Sequence, residues 1–291
     1  MKIKVRAYAK LNLFLDITGR LPGGRHSLNI ATQSVDIYDD ITVSVMSTDS
    51  FDCRITCNNP DIPCDEKNIV WKAAKAFFDA TGLAAEIAVD IEKHVPLMGG
   101  TGRSSVHGAG TLVALNQLFG KKLDTEALCA VGDKIGADVP ICIKGGTLYS
   151  ITSGDMIAAE CDTNSVFVCI YPDFTLSTAE AYAKYDENPT EINPHYADFV
   201  SNIVCGSLSE GAGFISNVFT EIYHDSRIEE MKTDLLESGA VISEMTGSGS
   251  VVFGVFESEE TAVDAKNILS GKYPHVFTTR PVNSGVYVLE R

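Results

Sequence analysis

The stretch PLMGGTGRSSVHGAG, residues 96–110, decides what kind of protein this chain encodes. A glycine-rich loop there leads directly into a predicted amphipathic helix that continues through residues 111–119. Glycine lets the backbone turn tightly and approach a ligand closely, and the first turn of a helix offers unpaired N–H groups at its positive end. Together these features predict a cradle for an anion, most often phosphate. The alternative is an ordinary glycine-rich turn in which Ser104 or Ser105 caps the helix.

Composition limits the class of protein. The chain has 291 residues, of which 45% are hydrophobic, and a formal net charge of −16, which predicts one large or two medium-sized domains. The acidic balance argues against a nucleic-acid-binding protein, but an enzyme needs positive potential around only a few phosphates. No apolar run of about 18 residues is present, and the first ten residues alternate like a β-strand rather than a signal peptide. We therefore expect a cytoplasmic protein without a membrane partner.

The hydrophobic pattern predicts a mixture of strands and helices. Alternating and apolar runs predict strands over residues 3–17, 28–46, 51–57, 85–93, 147–152, 166–171, 241–245, 251–256 and 285–289. Helical periodicity and capping signals predict further helices over residues 68–81, 125–135, 195–206, 211–222, 226–237 and 258–270. Gly82 is the expected C-cap of the first, and Asp124 the expected N-cap of the second. Because no regular βαβ alternation is present, we expect an α+β fold, with a domain boundary near 154–164 that separates residues 1–158 from 159–291.

Three further features are candidates for chemistry, each with a simpler alternative. Lys10 and Asn12 interrupt an otherwise apolar strand, and a buried cation there needs a partner, although a surface-facing position is equally compatible. Asp138, in the turn GADVP at 136–140, is either a general base or an Asx-turn residue. The turn TGSGS at 246–250 is either a second close approach of the backbone to a ligand or a plain hairpin bend.

In this order, the motifs resemble those of the GHMP kinase superfamily. Residues 96–106 are similar to its phosphate loop, and Gly247-Ser248-Gly249 to its C-terminal glycine-rich turn. The segments AKLNLFL at 9–15, TGRLPGGRH at 18–26 and GADVP at 136–140 resemble a subgroup that acts on a cytidine-diphosphate-linked methylerythritol. The resemblance implies a two-domain GHMP kinase fold, with an N-terminal ribosomal protein S5 domain 2-like part and a C-terminal ferredoxin-like α/β sandwich.

The resemblance also implies an activity. The protein would be an ATP-dependent kinase that phosphorylates a hydroxyl of this cytidine-diphosphate compound in non-mevalonate isoprenoid synthesis, as a monomer or homodimer. Lys10 and Asp138 would be the catalytic pair: Asp138 accepts or orients the hydroxyl proton, and Lys10 keeps Asp138 ionised. Mg²⁺ would bridge the β- and γ-phosphates of ATP.

The resemblance assigns the binding residues as well. ATP would be bound by Pro96, Leu97, Met98, Gly99, Gly100, Thr101, Gly102, Arg103, Ser104, Ser105 and Val106, with Ser105 as a ligand of Mg²⁺. The alcohol substrate would be bound by Asn12, His26, Phe174, Gly247, Ser248 and Gly249. Among these, His26 would recognise the cytosine edge, and Phe174 would stack on a base.

Five positions differ from the pattern of the superfamily. Arg25 stands where a tyrosine precedes the histidine, and Thr101, Arg103, Val106 and His107 change the phosphate loop and the helix entry. Arg103 either contacts phosphate through its guanidinium group or blocks the close approach that glycine permits. These differences motivate two alternatives: a GHMP kinase that acts on another small alcohol, and a catalytically weak nucleotide-binding homologue.

Overall fold

The computed structural model describes residues 1–47, 50–96, 99–102, 104–152, 154–205 and 208–290. Its strands are β1 (Lys2–Arg20), β2 (His26–Ser47), β3 (Asp52–Cys57), β4 (Glu86–Glu92), β5 (Thr147–Ser150), β6 (Met156–Ala159), β7 (Val166–Tyr171), β8 (Ser216–Asn217), β9 (Ile242–Met245), β10 (Val252–Phe256), β11 (His275–Thr279) and β12 (Val286–Glu290). Its helices are α1 (Ile69–Thr81), α2 (Ser105–Leu118), α3 (Thr125–Asp133), α4 (Val139–Lys144), α5 (Thr178–Glu187), α6 (Tyr196–Val204), α7 (Leu208–Gly211), α8 (Val218–Tyr223), α9 (Ser226–Glu237) and α10 (Glu259–Leu269), with a 3₁₀ turn at Ala212–Phe214. Two separate, largely antiparallel sheets with packed helices confirm the predicted α+β class.

The first sheet is built on a long antiparallel hairpin of β1 and β2, which have 19 and 22 residues. Its central order is β12-β1-β2-β4-β3, while β5 pairs with β2, β6 with β5 and β8 with β1. Burial alternates along residues 2–8 of β1, but residues 9–17 are all buried. Polar side chains in this enclosed half of β1 therefore need partners within the protein.

Helix α2 lies at the centre of the helical layer on the first sheet. The predicted amphipathic character is wrong, because residues 106–112 and 114–116 are all buried. A Cβ at Gly110 would lie 2.5 Å from Ile41 Cδ1 on β2, and one at Gly108 would lie 3.2 Å from Ile69 Cγ1 on α1. These two glycines allow α2 to approach both the sheet and α1 closely, and a helix enclosed in this way has no solvent-facing stripe.

The second sheet has the antiparallel order β11-β7-β10-β9. All six residues of β7 are buried, as the apolar run predicts. Val168 and Ile170 pack in the cluster that contains helices α9 and α10, whereas Phe167 and Tyr171 pack with Leu13 of β1 on the other face. The enclosed half of β1 is therefore covered by the second sheet.

Most predicted elements are present near their expected bounds, including the left-handed Gly82 C-cap and the Asp124 N-cap. The single helix predicted over residues 211–222 is wrong, because this segment contains a 3₁₀ turn, β8 and α8. Asn217 causes the break: its backbone pairs with Leu15 of β1, and its side chain accepts from the N–H of Phe219 as a helix cap.

Five short or weakly patterned elements, α4, α5, α7, β6 and β11, are present without having been predicted. Strands β8 and β12 follow the predicted boundary after residue 158, yet both pair with β1 of the first sheet. The boundary itself stays a prediction. Across the described ranges, no helix combines the length and apolar character that crossing a membrane requires.

Candidate active site

The site forms where the enclosed half of β1 meets two glycine-rich turns. Lys10 is only 4% exposed, so the surface-facing alternative is wrong. Its ammonium group lies 3.4 Å from Asp138 Oδ2 and donates to Asn12 Oδ1. Lys10 and Asn12 are two residues apart on a strand and therefore share one face. The fold thus supplies the partners that a buried cation needs.

Asp138 reaches this cation from the start of α4. It occupies the N-cap position, but its carboxylate caps no backbone N–H group. The structure therefore does not show the local turn role that was the simpler alternative. The Asp138 side chain is 41% exposed, whereas that of Lys10 is 5% exposed. The carboxylate is oriented by a lysine on one side and remains accessible on the other.

Thr246 joins both glycine-rich turns to β1. Its hydroxyl accepts the N–H of Asn12 at 2.8 Å and donates to the Gly100 carbonyl at 3.2 Å. The Thr101 carbonyl accepts the N–H of Lys10 at 3.2 Å. Because Thr246 is fully buried, water does not compete for these bonds. The loop before α2 is thus tied to the strand that carries Lys10.

The two glycine-rich turns contact each other through their backbones. A Cβ at Gly99 would lie 2.3 Å from the Gly249 carbonyl oxygen, and one at Gly100 would lie 2.1 Å from the Thr246 carbonyl oxygen. Gly100 also has a backbone φ of +99°, which residues other than glycine rarely adopt. The turn at 246–250 is therefore more than a hairpin connection, because it closes directly on the first loop.

The loop before α2 offers unused hydrogen-bond donors. The N–H groups of Gly100, Thr101, Gly102 and Ser104 donate to no acceptor among the described residues, whereas the N–H of Ser105 bonds to the Gly102 carbonyl at 2.7 Å. The Ser104 hydroxyl makes no capping bond, so the structure does not show the ordinary capped turn that was the alternative. Unused donors at the positive end of a helix are the feature that binds anions.

These groups line one cleft of about 410 Å³. Its polar wall contains predicted residues from all four motifs, namely Lys10, Asn12, Gly99, Gly100, Gly102, Ser104, Ser105, Asp138, Gly247, Ser248 and Gly249. Its other lining residues, most of them apolar, are Leu15, Leu28, Ile30, Ala137, Leu176, Thr178, Tyr182 and Phe219. A cleft of this size accommodates a small molecule.

Other predicted residues lie outside the cleft wall. Thr101 and Val106 are buried, Pro96 does not line the cleft, and Leu97, Met98 and Arg103 lie outside the described residues. The Phe174 ring has the Arg227 guanidinium carbon 3.7 Å from its centroid and packs against the core beside α9. Arg25 pairs with Asp133 at 3.2 Å on the surface.

Tyr182 of α5 is a cleft residue that the sequence analysis missed. Its ring stacks on His26, with centroids 4.6 Å apart and an interplanar angle of 24°, so His26 stands directly behind the wall. Burial, assisted by the charge of Asp138, raises the pKa of Tyr182 to about 12. The phenol therefore keeps its proton at neutral pH and is available as a donor. Phe174, the residue predicted to stack on a base, precedes Tyr182 by eight residues in the sequence.

His107 takes part in a buried charge cluster rather than in the cleft. Asp39 Oδ2 lies 2.7 Å from His107 Nε2 and 2.8 Å from Lys93 Nζ, and Asp39 Oδ1 accepts the N–H groups of His94 and Val95. Burial by itself raises the pKa of Asp39, but the His107 bond and the Lys93 charge outweigh it and hold that pKa well below its ordinary value. His107 is thus a structural partner of β2.

A second cavity, also of about 410 Å³, adjoins the end of the loop before α2. Ser104 lines both cavities. Lys67 and Lys72 line the second cavity together with Asp61, with Lys93 and His107 of the Asp39 cluster, and with apolar groups of Ile62, Pro63, Ile69 and Ile135. Cationic and apolar surface therefore lies next to the anion cradle.

The comparisons with known proteins agree with this geometry. The family description "GHMP kinases N terminal domain" matches residues 68–146, and "GHMP kinases C terminal" matches residues 220–275. These ranges hold the phosphate loop, Asp138 and the second glycine-rich turn. The chain belongs to the GHMP kinase family, as its motifs predict.

Individual relatives carry names that are more specific than the family description. A Clostridium perfringens protein named 4-diphosphocytidyl-2-C-methyl-D-erythritol kinase is 34% identical over 97% of this chain and 99% of its own length. A Clostridium tetani protein of the same name is 31% identical over 96% of this chain and 100% of its own.

Solved structures support the fold. A homoserine kinase from Cytophaga hutchinsonii superposes with a TM-score of 0.79 at 20% identity, covering 99% of this chain and 97% of that one. A 4-(cytidine 5'-diphospho)-2C-methyl-D-erythritol kinase superposes with a TM-score of 0.74 at 22% identity, covering 97% and 99%. The expected two-part GHMP kinase fold is confirmed.

Proposed function

We propose that this protein transfers the γ-phosphoryl group of ATP to a hydroxyl of 4-diphosphocytidyl-2-C-methyl-D-erythritol. The observation that carries the proposal is the Lys10–Asp138 pair, 3.4 Å apart, which stands in one cleft with both glycine-rich turns. The names and full-length coverage of the clostridial relatives support this substrate.

The pair supports an in-line transfer. The substrate hydroxyl oxygen bonds to the γ-phosphorus as the bond to the β,γ-bridging oxygen breaks, and ADP leaves with that oxygen. The hydroxyl proton passes to the accessible carboxylate of Asp138. Lys10 supplies a positive charge beside the reacting groups. Such a reaction depends mainly on positioning and charge stabilisation, which this arrangement offers.

We assign the loop before α2 and the second cavity to ATP, and the first cleft to the alcohol substrate. The unused N–H groups of the loop before α2 would bind the ATP phosphates. We assign the nucleoside of ATP to the second cavity, because it adjoins that loop at Ser104 and offers apolar groups of Ile62, Pro63, Ile69 and Ile135 to the base. The first cleft then remains for the alcohol, whose cytosine ring would lie near the aromatic wall formed by Tyr182 and backed by His26.

The residues present fit a magnesium ion that arrives with ATP. Mg²⁺ prefers oxygen ligands and keeps several waters and phosphate oxygens, so one or two protein groups suffice. The Ser105 hydroxyl lines the cleft and would hold it. When bound, the ion would neutralise charge on the β- and γ-phosphates. His107 is not a candidate ligand, since Mg²⁺ prefers oxygen donors and the His107 ring is buried against Asp39, outside the cleft.

The two alternatives are less well supported. The first alternative, a GHMP kinase that acts on another small alcohol, is favoured only by Arg25 and the altered loop. Arg25 gives it little support, because this side chain pairs with Asp133 on the surface. The catalytically weak homologue is disfavoured because the Lys10–Asp138 pair is present. We retain the cytoplasm as the expected compartment and a monomer or homodimer as the expected state.

The proposal is tested with the purified protein, ATP, MgCl₂ and the cytidine-diphosphate alcohol. We expect ADP release to require all three additions, and phosphorus NMR to show a new phosphomonoester beside the intact diphosphate. Lys10→Met is the matched variant, because methionine fills similar space without the charge, and it should lose turnover. Absence of the phosphomonoester with the wild-type protein would refute the proposal.

A further inference from the structure

Tyr182, which lines the cleft, belongs to a group of four side chains whose other members stand behind it. His26 Nε2 lies 2.8 Å from Asp186 Oδ1, while one ring face stacks on Tyr182. The Tyr185 ring meets the imidazole edge-on, with centroids 5.8 Å apart. All three contacts come from α5, and the His26 side chain is only 11% exposed. Helix α5 therefore fixes the imidazole in one orientation beside the substrate cleft.

Asp186 also determines where the imidazole carries its proton. The hydrogen bond from His26 and the Arg20 guanidinium, 2.5 Å away, hold the pKa of Asp186 below its usual value. An ionised carboxylate only accepts hydrogen bonds, so the neutral His26 ring must be protonated at Nε2. Its Nδ1 atom is then an acceptor, and no described residue donates to it.

We infer that Asp186 is a positioning residue for base recognition, which acts through His26 to make the site prefer cytosine over uracil. Cytosine carries an exocyclic amino group, a donor, where uracil carries a carbonyl oxygen, an acceptor. An unprotonated Nδ1 pairs with the amino group and repels the carbonyl oxygen. This inference rests on the proposed function and names the residue that sets its base preference.

The first measurement compares kcat and KM for the cytidine-diphosphate alcohol and its uridine analogue. Asp186→Asn is the informative variant, because an amide accepts through oxygen or donates through nitrogen and so permits both His26 tautomers. We expect it to lower the cytidine-over-uridine ratio of kcat/KM about tenfold, the size of one hydrogen bond. The change should lie in KM, with kcat nearly unaltered. Asp186→Glu, which restores an acceptor-only group, should recover part of the ratio.

The matched control is Glu187→Gln, which removes the adjacent exposed charge of α5 without touching His26 and should leave the ratio unchanged. The second measurement is proton–nitrogen correlation NMR on protein with ¹⁵N-labelled histidine, assigned with His26→Gln. We expect the proton on Nε2 in the wild type and a mixture of tautomers in Asp186→Asn.

An unchanged base ratio in Asp186→Asn would overturn the inference, as would a wild-type proton on Nδ1. If the wild type phosphorylates neither nucleotide alcohol, the proposed function fails. The NMR measurement still decides whether Asp186 sets the tautomer in that case, so the two failures are distinguishable.

Discussion

The chemistry of this protein depends on a buried lysine, Lys10, whose carboxylate partner comes from a distant part of the chain. Lys10 meets Asp138 across 128 positions of sequence, in contact at 3.4 Å. The lysine is enclosed, and the carboxylate is open to the cleft. This asymmetry makes Asp138 the group that can exchange a proton with a ligand.

Asp138→Asn should lower kcat by about 10²–10⁴-fold, the usual contribution of a general base. ATP affinity should change little, because the amide keeps the shape of the side chain and the loop donors are untouched. Steady-state kinetics and calorimetric ATP titration measure the two effects. Asp133→Asn is the control, since Asp133 is an exposed carboxylate paired with Arg25. Full activity in Asp138→Asn would show that the proton goes elsewhere.

Asp39 should contribute far more to stability than its neighbour Asp40. Asp39→Asn leaves Lys93 and His107 buried without their carboxylate, which costs about 3–5 kcal/mol. The Asp40 side chain is 6% exposed, but its partners Lys4 and Arg6 are 28% and 26% exposed and reach water, so Asp40→Asn should cost less, about 1–2 kcal/mol. Urea unfolding of both variants provides the comparison, and equal losses would contradict the role given to the buried cluster.

The same cluster predicts a pH dependence of stability. Because the pKa of Asp39 is lower in the folded protein, the unfolded chain binds more protons at this group at acid pH. Its stabilisation is fully present above the ordinary value of 3.8 and is lost as the pH falls below that value toward the depressed folded pKa. The free energy of unfolding of Asp39→Asn should therefore fall less steeply than that of the wild type below about pH 4. Parallel curves in acid urea titrations would refute this assignment.

At the scale of elements, the site depends on contact between two glycine-rich turns that are about 145 residues apart, and on a helix packed closely against its sheet. Gly99 and Gly100 meet the turn at 246–250 through backbone atoms. Thr246 then bonds to Asn12 of β1. The position of the phosphate loop therefore depends on the second sheet.

Gly100→Ala should weaken ATP binding at least tenfold, because its Cβ would lie 2.1 Å from the Thr246 carbonyl oxygen. Gly120→Ala is a matched control: its φ of +81° imposes similar backbone strain, but nothing lies within 4 Å of the new Cβ. Both variants should lose about 1–2 kcal/mol of stability from the left-handed conformation. Gly100→Ala should lose more because of the clash, and only this variant should lose ATP binding. Calorimetric titration tests this, and equal ATP affinities would contradict the contact between the turns.

The elements also show how far the sequence alone predicts this protein. Alternation correctly predicts β1 and β2, and the motif order correctly predicts the family. The pattern fails for α2, because its glycines let it pack on several sides and leave no polar face. It fails for α4, which has six residues, and for α5, of which only Ala181 and Tyr185 are buried. Since α5 carries Tyr182 and Asp186, the aromatic wall of the site was missed with it.

At the scale of the whole molecule, the chain returns to its first sheet after building the second. Strand β12 pairs with residues 4–7 of β1, and a Cβ at Gly285 would lie 1.9 Å from the Cys142 carbonyl oxygen, so the last strand approaches α4 closely. The proposed boundary after residue 158 therefore separates segments that depend on each other for the site.

A fragment of residues 1–158 should consequently fail as an independent unit. It lacks β8 and β12, which pair with β1, and the turn at 246–250, which packs against Gly99 and Gly100. We expect no cooperative thermal transition by circular dichroism and no measurable ATP binding. The full chain measured in parallel is the reference. A fragment that melts cooperatively and binds ATP like the full chain would show that the second sheet is dispensable.

The most direct test of the central claim is a competition among three alcohols. Purified protein with ATP and MgCl₂ would receive equal concentrations of the cytidine-diphosphate methylerythritol, homoserine and mevalonate, and the phosphorylated products would be separated by mass spectrometry. We predict that the cytidine-diphosphate compound accounts for almost all product, and that Asp138→Asn abolishes it. Preferential phosphorylation of homoserine or mevalonate, or ATP binding without any phosphorylated alcohol, would contradict the account.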